Sequence, residues 1–210
     1  MAEKRISLGP QEFVNAAMEL VDQNGIAALS MRALGTHMGV DATAIYRHFP
    51  NKDSLVVALI DTMLGEAVAV PVSEAATPRE KCVALIVAIR DSFRRHPDVG
   101  ISLVHSEGVS SNGLEISRRA LQYLREMGLE GRELVRQYQA IEGYVMGSCV
   151  MDFSGSPHNF DIRRSRYRLL DAAELDEVAR DISVVRDMAE EGFMVVLNAI
   201  LDQSELLAKK

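Results

Sequence analysis

The stretch LSMRALGTHMGVDATAIYRHF, residues 29–49, decides the fold of this 210-residue chain. Ser30 is placed to cap a short helix, because its hydroxyl accepts the backbone N–H groups that a helix start leaves unpaired. Gly39 supplies the left-handed residue that ends this helix, and Asp41 then caps a second one. Two helices joined by a tight turn with glycine predict a helix-turn-helix, the unit whose second helix enters the major groove of DNA.

The second helix divides into a buried side and an exposed side. Helical spacing turns Ile45 and Phe49 inward and leaves polar side chains outward. We expect base contacts from the start of the helix. The outward polar side chains are Thr43, Tyr46, Arg47 and His48.

Few side chains on this surface carry the chemistry of base recognition. Thr43 can hydrogen-bond a base or present its methyl group to thymine, whereas Ala42 and Ala44 offer apolar contacts alone. Arg47 can contact O6 and N7 of guanine, or equally a phosphate. The sequence predicts a small, rather apolar base-reading surface.

The remaining candidates are phosphate contacts. The Tyr46 hydroxyl can reach a phosphate oxygen, although its ring can instead pack on Phe49. Lys52 combines its charge with the N-terminus of the next helix, or is a solvated turn lysine. Ser30 and Arg32 are further candidates on the first helix of the motif, where Arg32 points outward.

Composition limits the other possibilities. The net charge is −7 and 48% of the residues are hydrophobic, which predicts a chain with a substantial core that does not coat nucleic acid. Residues 1–60 contain five lysines and arginines against six carboxylates, so there is no broad basic patch. No signal peptide or apolar run of membrane-spanning length is present, so we expect a soluble, cytoplasmic protein without a membrane partner.

The two cysteines, Cys82 and Cys149, lie far apart and have no metal-ligand spacing. We predict two reduced, buried thiols, with a redox-sensing thiol as the alternative. No cofactor or metal motif occurs, and none is expected. The absence of a Gly-rich phosphate loop, His-Glu-x-x-His or G-x-S-x-G argues against an enzyme.

The whole chain predicts an all-α fold, since no stretch alternates with period two. An N-terminal head of three helices, residues 1–60, is followed by a ligand-binding and dimerisation domain, residues 61–210. A helix of about 18 residues ending near Pro71 joins the two. The other predictions are a helix from 10 to Asn24, one from 78 to His96, a short helix or turn at 98–104 and a loop at 106–113. A helix at 114–127 is followed by a long one that starts at Glu130 or Gly131 and reaches Met151 or Phe153. We then expect a break at 154–157, a loop or short helix at 158–170 and a helix at 183–207.

Several motifs resemble the TetR family of bacterial transcriptional repressors and occur in the family's order. They are AALSMRAL at 27–34, MGV at 38–40 and AIYRHFPNKDSL at 44–55. The segments HP at 96–97, GL at 128–129 and EGYVMG at 142–147 are similar to the tetracycline-repressor type of C-terminal domain. The resemblance implies a homodimer on a palindromic operator, a small molecule in the C-terminal core that releases the DNA, and a backbone contact from His48, although a histidine beside Phe49 is often structural.

A ligand pocket requires a few polar groups in an apolar lining. Large or polar residues of the C-terminal helices fit this description, although each fits a plain helical core equally well. The candidates are Phe93, His105, Glu107, Met127, Tyr138, Glu142 and Met146.

The two long C-terminal helices carry features of a dimer interface. Ala140, Gly143 and Gly147 share one face and permit close approach of another helix. The last helix has an apolar stripe too wide for one contact, from Val185 to Leu201. Two such helices from each chain predict a four-helix interface with twofold symmetry. The alternative is a helical protein-interaction module without specific DNA binding.

Overall fold

The computed structural model describes residues 8–153, 158–170 and 172–209. These residues form eleven α-helices and one 3-10 turn and contain no β-strand, so the predicted all-α class is confirmed. The elements are α1 (Pro10–Asn24), the 3-10 turn (Ile26–Ala28), α2 (Met31–Met38), α3 (Ala42–Tyr46), α4 (Lys52–Ala69), α5 (Pro78–Arg95), α6 (Pro97–His105), α7 (Ser111–Glu126), α8 (Gly131–Phe153), α9 (His158–Tyr167), α10 (Ala173–Val178) and α11 (Ile182–Leu207). The predicted break at 154–157 lies outside the described residues.

Local sequence signals place most helix starts. Pro10 and Pro78 occupy the first turns of α1 and α5, where the missing N–H costs nothing. Thr77 and Glu80 form a capping box, in which the Thr77 N–H donates to Glu80 Oε2 at 2.7 Å. Asn51 accepts from the Ser54 N–H at 2.8 Å and starts α4, whose 18 residues match the predicted length.

The predicted loop at 106–113 is shorter than expected. Helix α7 begins at Ser111, because Ser110 caps it and Asp61 of α4 accepts from the Asn112 N–H at 2.8 Å. The Ser110 cap is local, whereas the carboxylate that Asp61 supplies from α4 leaves no local sequence signal. For the segments at 98–104 and 158–170, the sequence allowed either a short helix or an irregular segment, and both are largely helical. Helix α10 is an additional short helix that was not predicted.

One continuous apolar core runs from the head into the body. Phe13, Leu34 and Ile45 are fully buried in the head, and Leu59 and Met63 of α4 continue the same cluster. Helix α4 runs from residue 52 to residue 69 and buries side chains in both parts of this core, so it links the head to the body. The division into residues 1–60 and 61–210 remains a prediction.

A buried arginine joins three helices of the body. Arg90 of α5 is 2% exposed, and its guanidinium bonds Asp152 of α8 at 2.6 Å and Glu190 of α11 at 3.0 Å. It also lies over the rings of Phe153 and Phe193, at 4.8 and 4.3 Å from their centroids. Burial alone lowers the pKa of Arg90, but the hydrogen bonds that the guanidinium donates to Glu190 and Asp152 raise it above its ordinary value.

Both cysteines are free and buried, as predicted. Burial raises the pKa of Cys82 and of Cys149 to about 11, so neither is a thiolate near neutral pH. Their environment opposes the redox-sensing alternative, since oxidation follows exposure and thiolate character.

Candidate nucleic-acid interface and ligand cavity

The helix-turn-helix forms with the predicted caps. Ser30 Oγ accepts from the Ala33 N–H at 3.0 Å, and Asp41 Oδ1 accepts from the Thr43 N–H at 2.8 Å. Gly39 ends α2 with a φ of 67°, in the left-handed region. The bond to Thr43 holds the pKa of Asp41 below its ordinary value, which keeps the cap ionised.

Helix α3 is shorter than the sequence suggested. It ends at Tyr46, and Arg47 and His48 lie in the turn that follows, where the His48 and Phe49 N–H groups both donate to the Ile45 carbonyl at 2.9 Å. The buried and exposed sides are nevertheless as predicted. Ile45 and Phe49 are buried, whereas the side chains predicted to point outward are exposed: Thr43, Tyr46, Arg47 and His48.

Gly35 sets the distance between α2 and α3, and sequence reasoning missed it. A Cβ at position 35 would lie 2.8 Å from the Val40 carbonyl oxygen and 3.3 Å from the Ala42 nitrogen. Both neighbours are backbone atoms, so neither can move without opening the turn. The glycine was visible in the sequence, but its role depends on a close approach that spacing does not reveal.

We expect Gly35→Ala to lower the free energy of unfolding by about 1–3 kcal/mol, the range typical of overpacked sites. The change also moves α3, so operator binding weakens with it. The matched control is Gly39→Asn, since asparagine adopts the left-handed conformation and no atom lies within 4 Å. Thermal unfolding of the two variants compares them, and equal losses would contradict the close-packing argument.

The exposed face of the head carries unpaired cations. Within the described ranges, Arg32, Arg47 and Lys52 form no ion pair. Arg32 and Arg47 are exposed to solvent. Nine arginines beyond residue 70, by contrast, are paired with carboxylates. A surface whose cations pair with no carboxylate of the described residues is suited to phosphate oxygens, even without a broad basic patch.

Two predicted phosphate contacts also have partners inside the head. The Lys52 ammonium donates to the Ile26 carbonyl at 3.4 Å and therefore ties α4 to the 3-10 turn. The His48 ring lies 5.5 Å from the ring of Phe13, although its side chain is exposed. Ser30 remains exposed while capping α2, so its two predicted roles are compatible.

The body contains a cavity of about 340 Å³ between α4, α5, α7 and α8. This volume is in the range of small-molecule sites. Its walls are mostly aliphatic, and Leu64 of α4 is among them. Val109 and Leu114 are exposed lining residues, so the cavity reaches the surface beside the start of α7.

Four of the seven predicted ligand residues line this cavity: Phe93, Tyr138, Glu142 and Met146. The other three do not. His105 and Glu107 are exposed at and after the end of α6, and Met127 packs against the core after α7. Their sequence positions resembled those of lining residues because helix periodicity fixes a face but does not say which partner covers it.

The polar groups of the cavity wall lie close together. The Tyr138 hydroxyl is 2.8 Å from Glu142 Oε1 and 2.9 Å from Ser117 Oγ. Burial raises the pKa of Tyr138, with a further rise from Glu142, so the phenol stays protonated and donates to the carboxylate. Sequence reasoning found Tyr138 and Glu142 but missed Ser117, which has no distinguishing pattern.

Asp61 of α4 accepts hydrogen bonds from the start of α7 and so connects α4 to this part of the cavity wall. Its Oδ1 accepts from Ser110 Oγ at 2.7 Å and from the Asn112 N–H at 2.8 Å, and the Asn112 side-chain amide donates back to the Asp61 carbonyl at 2.9 Å. Arg119 donates from α7 to the Val68 carbonyl at 2.9 Å. Ser110 lines the cavity, so a displacement of α7 acts directly on α4.

The secondary structure of the described residues is entirely helical, with an exposed helix-turn-helix in the head and a cavity in the body. These features define the class of protein: a helix-turn-helix protein with a separate compartment for a small molecule. The sequence pattern of the TetR family of bacterial regulatory proteins matches residues 13–59, and that of the tetracycline-repressor-like C-terminal domain matches residues 70–203. The chain belongs to the TetR family, as the motifs of its first half indicated.

Known relatives and structures agree with this assignment. An HTH-type transcriptional repressor of Mycobacterium tuberculosis is 32% identical over 154 residues, so the match spans 71% of this chain and 59% of that relative's length. ActR of Streptomyces coelicolor, in complex with actinorhodin, has a TM-score of 0.76 at 21% identity, covering 97% of this chain and 99% of that one. BioQ with its double-stranded DNA operator has a TM-score of 0.66 at 24% identity, covering 94% and 98%. At these identities, the two structures share the fold. None of the helices in the described ranges has the length and apolarity needed to cross a membrane.

Proposed function

We propose that this chain is a ligand-responsive transcriptional repressor. It binds a palindromic DNA operator as a homodimer through residues 30–52 and is released when a small molecule occupies the cavity. The relative that is named a transcriptional repressor, and the related folds crystallised with DNA and with a small molecule, support this proposal. Its site of action is the cytoplasm, and it has no catalytic role.

The observation that carries the proposal is the course of α4. This helix begins with Lys52 at the exposed face of the head and places Leu64 in the wall of the cavity, 12 positions later. A straight helix rises about 1.5 Å per residue, so the two sites are about 18 Å apart along one rigid element. A shift of α4 at one end is therefore felt at the other.

The coupling is a population shift between two arrangements of the dimer. A ligand that displaces α7 moves Ser110 and Asn112, and the bonds to Asp61 transmit the movement to α4. His96, which lies between Asp22 of α1 and Glu66 of α4 at 3.0 and 3.1 Å, carries the movement to the head. The two heads then no longer match successive major grooves.

The dimer interface is proposed on α8 and α11. A Cβ added at Gly143 or Gly147 of α8, or at Gly192 of α11, would meet nothing within 4 Å, so these faces are open in the single chain. Val195 and Val196 of α11 are exposed next to this surface. One side of α11 is buried in the chain, and we assign the other side of its wide apolar stripe to a second copy.

Val195→Glu is expected to convert the dimer to a monomer, because it places a charge in an apolar interface. Light scattering coupled to size exclusion measures the mass, and operator binding should fall with it. The control is Leu169→Glu, since Leu169 is 82% exposed and Val195 68%, and Leu169 lies outside α8 and α11. A dimer that survives Val195→Glu would place the interface elsewhere.

The experiment that tests the function uses DNA from upstream of the protein's own gene. We expect salt-dependent binding that protects two half-sites, followed by release on addition of a compound that raises the Tm of the protein. Binding without sequence preference, or none at all, would favour the alternative of a helical protein-interaction module.

A further inference from the structure

We propose that the effector is a hydrophobic molecule with a protonated amine, and that its ammonium group lies against Glu142. This inference rests on the proposed function, because it specifies what the same cavity binds. It follows from the hydrogen-bonding and charge balance of the cavity wall.

The wall offers acceptors but has little donor capacity left. Ser110 Oγ donates to Asp61 Oδ1 at 2.7 Å, and Ser117 Oγ donates to the Gly113 carbonyl at 3.1 Å. The Tyr138 hydroxyl donates to Glu142 Oε1 at 2.8 Å. Each hydroxyl hydrogen of the described lining therefore already has an acceptor, and a ligand carboxylate would find no free donor there.

Glu142, an exposed residue, is the charged group of the described lining, and no cation among the described residues pairs with it. Across residues 8–153, 158–170 and 172–209, it forms no ion pair with Lys, Arg or His. The rest of the wall is largely aliphatic, as in Leu85, Ile86 and Ile89 of α5. A carboxylate at the edge of an apolar cavity attracts a cation and repels an anion of the same shape.

Three probes with one ring system test this charge preference. They are 2-(naphthalen-1-yl)ethylamine, 2-(naphthalen-1-yl)ethanol and naphthalene-1-acetate, which are cationic, neutral and anionic at neutral pH. Titration calorimetry on the full-length dimer should give at least tenfold tighter binding of the amine than of the alcohol, and the weakest binding for the acetate. In Glu142→Gln, the amine should lose at least fivefold while the alcohol changes less than twofold.

The matched control is Glu107→Gln, which removes the same charge at an exposed position outside the cavity. It should leave the order of the three probes unchanged. Equal affinity for the amine and the acetate, or an amine preference that survives Glu142→Gln, overturns the inference while leaving the cavity as the ligand site. If none of the probes binds the wild type, the inference is overturned as well, and the release of operator DNA remains the separate test of the proposed function.

Discussion

Arg90→Met should lower the free energy of unfolding by about 3–5 kcal/mol, the cost typical of removing one partner of a buried ion pair. The change leaves Asp152 buried with Arg163 as its remaining partner and removes the cation from between the rings of Phe153 and Phe193. Asp152 belongs to α8 and Glu190 to α11, so the variant also loses the bonds through which Arg90 holds these two helices together. We therefore expect α8 and α11, the helices of the proposed dimer interface, to move apart within each chain. Urea unfolding at fixed protein concentration measures the loss.

Arg94→Met is the matched control for this prediction. Arg94 pairs with the same Glu190 at 2.7 Å, but its side chain is 48% exposed. We expect it to cost less than about 1 kcal/mol, as exposed pairs do. Equal losses of unfolding free energy at the two positions would show that burial does not explain the large contribution of Arg90 to stability.

Arg47→Ala should weaken operator binding by about 1–3 kcal/mol if the guanidinium contacts guanine, and should relax the preference for the base pair it contacts. If Arg47 instead contacts phosphate, binding weakens about equally on operator and scrambled DNA, and the salt dependence falls by about one unit. The two alternatives that the sequence leaves open are therefore separated by one salt series on two DNA duplexes. Fluorescence anisotropy gives both affinities.

Arg132→Ala is the control, because Arg132 is also exposed, at the start of α8, and has no ion pair in the described part of the chain. It should change neither the affinity nor the salt dependence. Tyr46→Phe, alongside Tyr46→Ala, separates the phosphate contact of the hydroxyl from the packing of the ring. If Arg47→Ala and Arg132→Ala bind operator equally well, Arg47 makes no contact with the DNA.

Sequence reasoning succeeds where the signal is local. Ser30, Gly39, Asp41 and Thr77 each act on a backbone group within a few residues, so the caps and the helix-turn-helix are readable from spacing. It fails where the partner is remote. Asp61 accepts from the Asn112 N–H at the start of a helix about 50 positions away, and nothing in the residues around Asp61 indicates this.

Arg90 lies between these cases. Its place four residues after Ile86, on the buried face of α5, marks it as an inward-facing cation. That pattern was available, but its partners on α8 and α11 were not. The cavity shows the same limit, since the sequence offered Tyr138, Glu142 and His105 as large or polar candidates on the C-terminal helices but could not show which of them line the cavity.

The distance between the two heads of the dimer tests the coupling most directly. A spin label at Gln23→Cys, exposed on α1, reports it by pulsed electron paramagnetic resonance, and the buried Cys82 and Cys149 should stay unlabelled. Without ligand, we expect heads whose recognition helices suit half-sites about 34–36 Å apart. A compound that raises Tm and releases the DNA should shift the distance distribution by several ångströms, and Asp61→Ala should reduce the shift. An unchanged distribution on release would contradict transmission through α4.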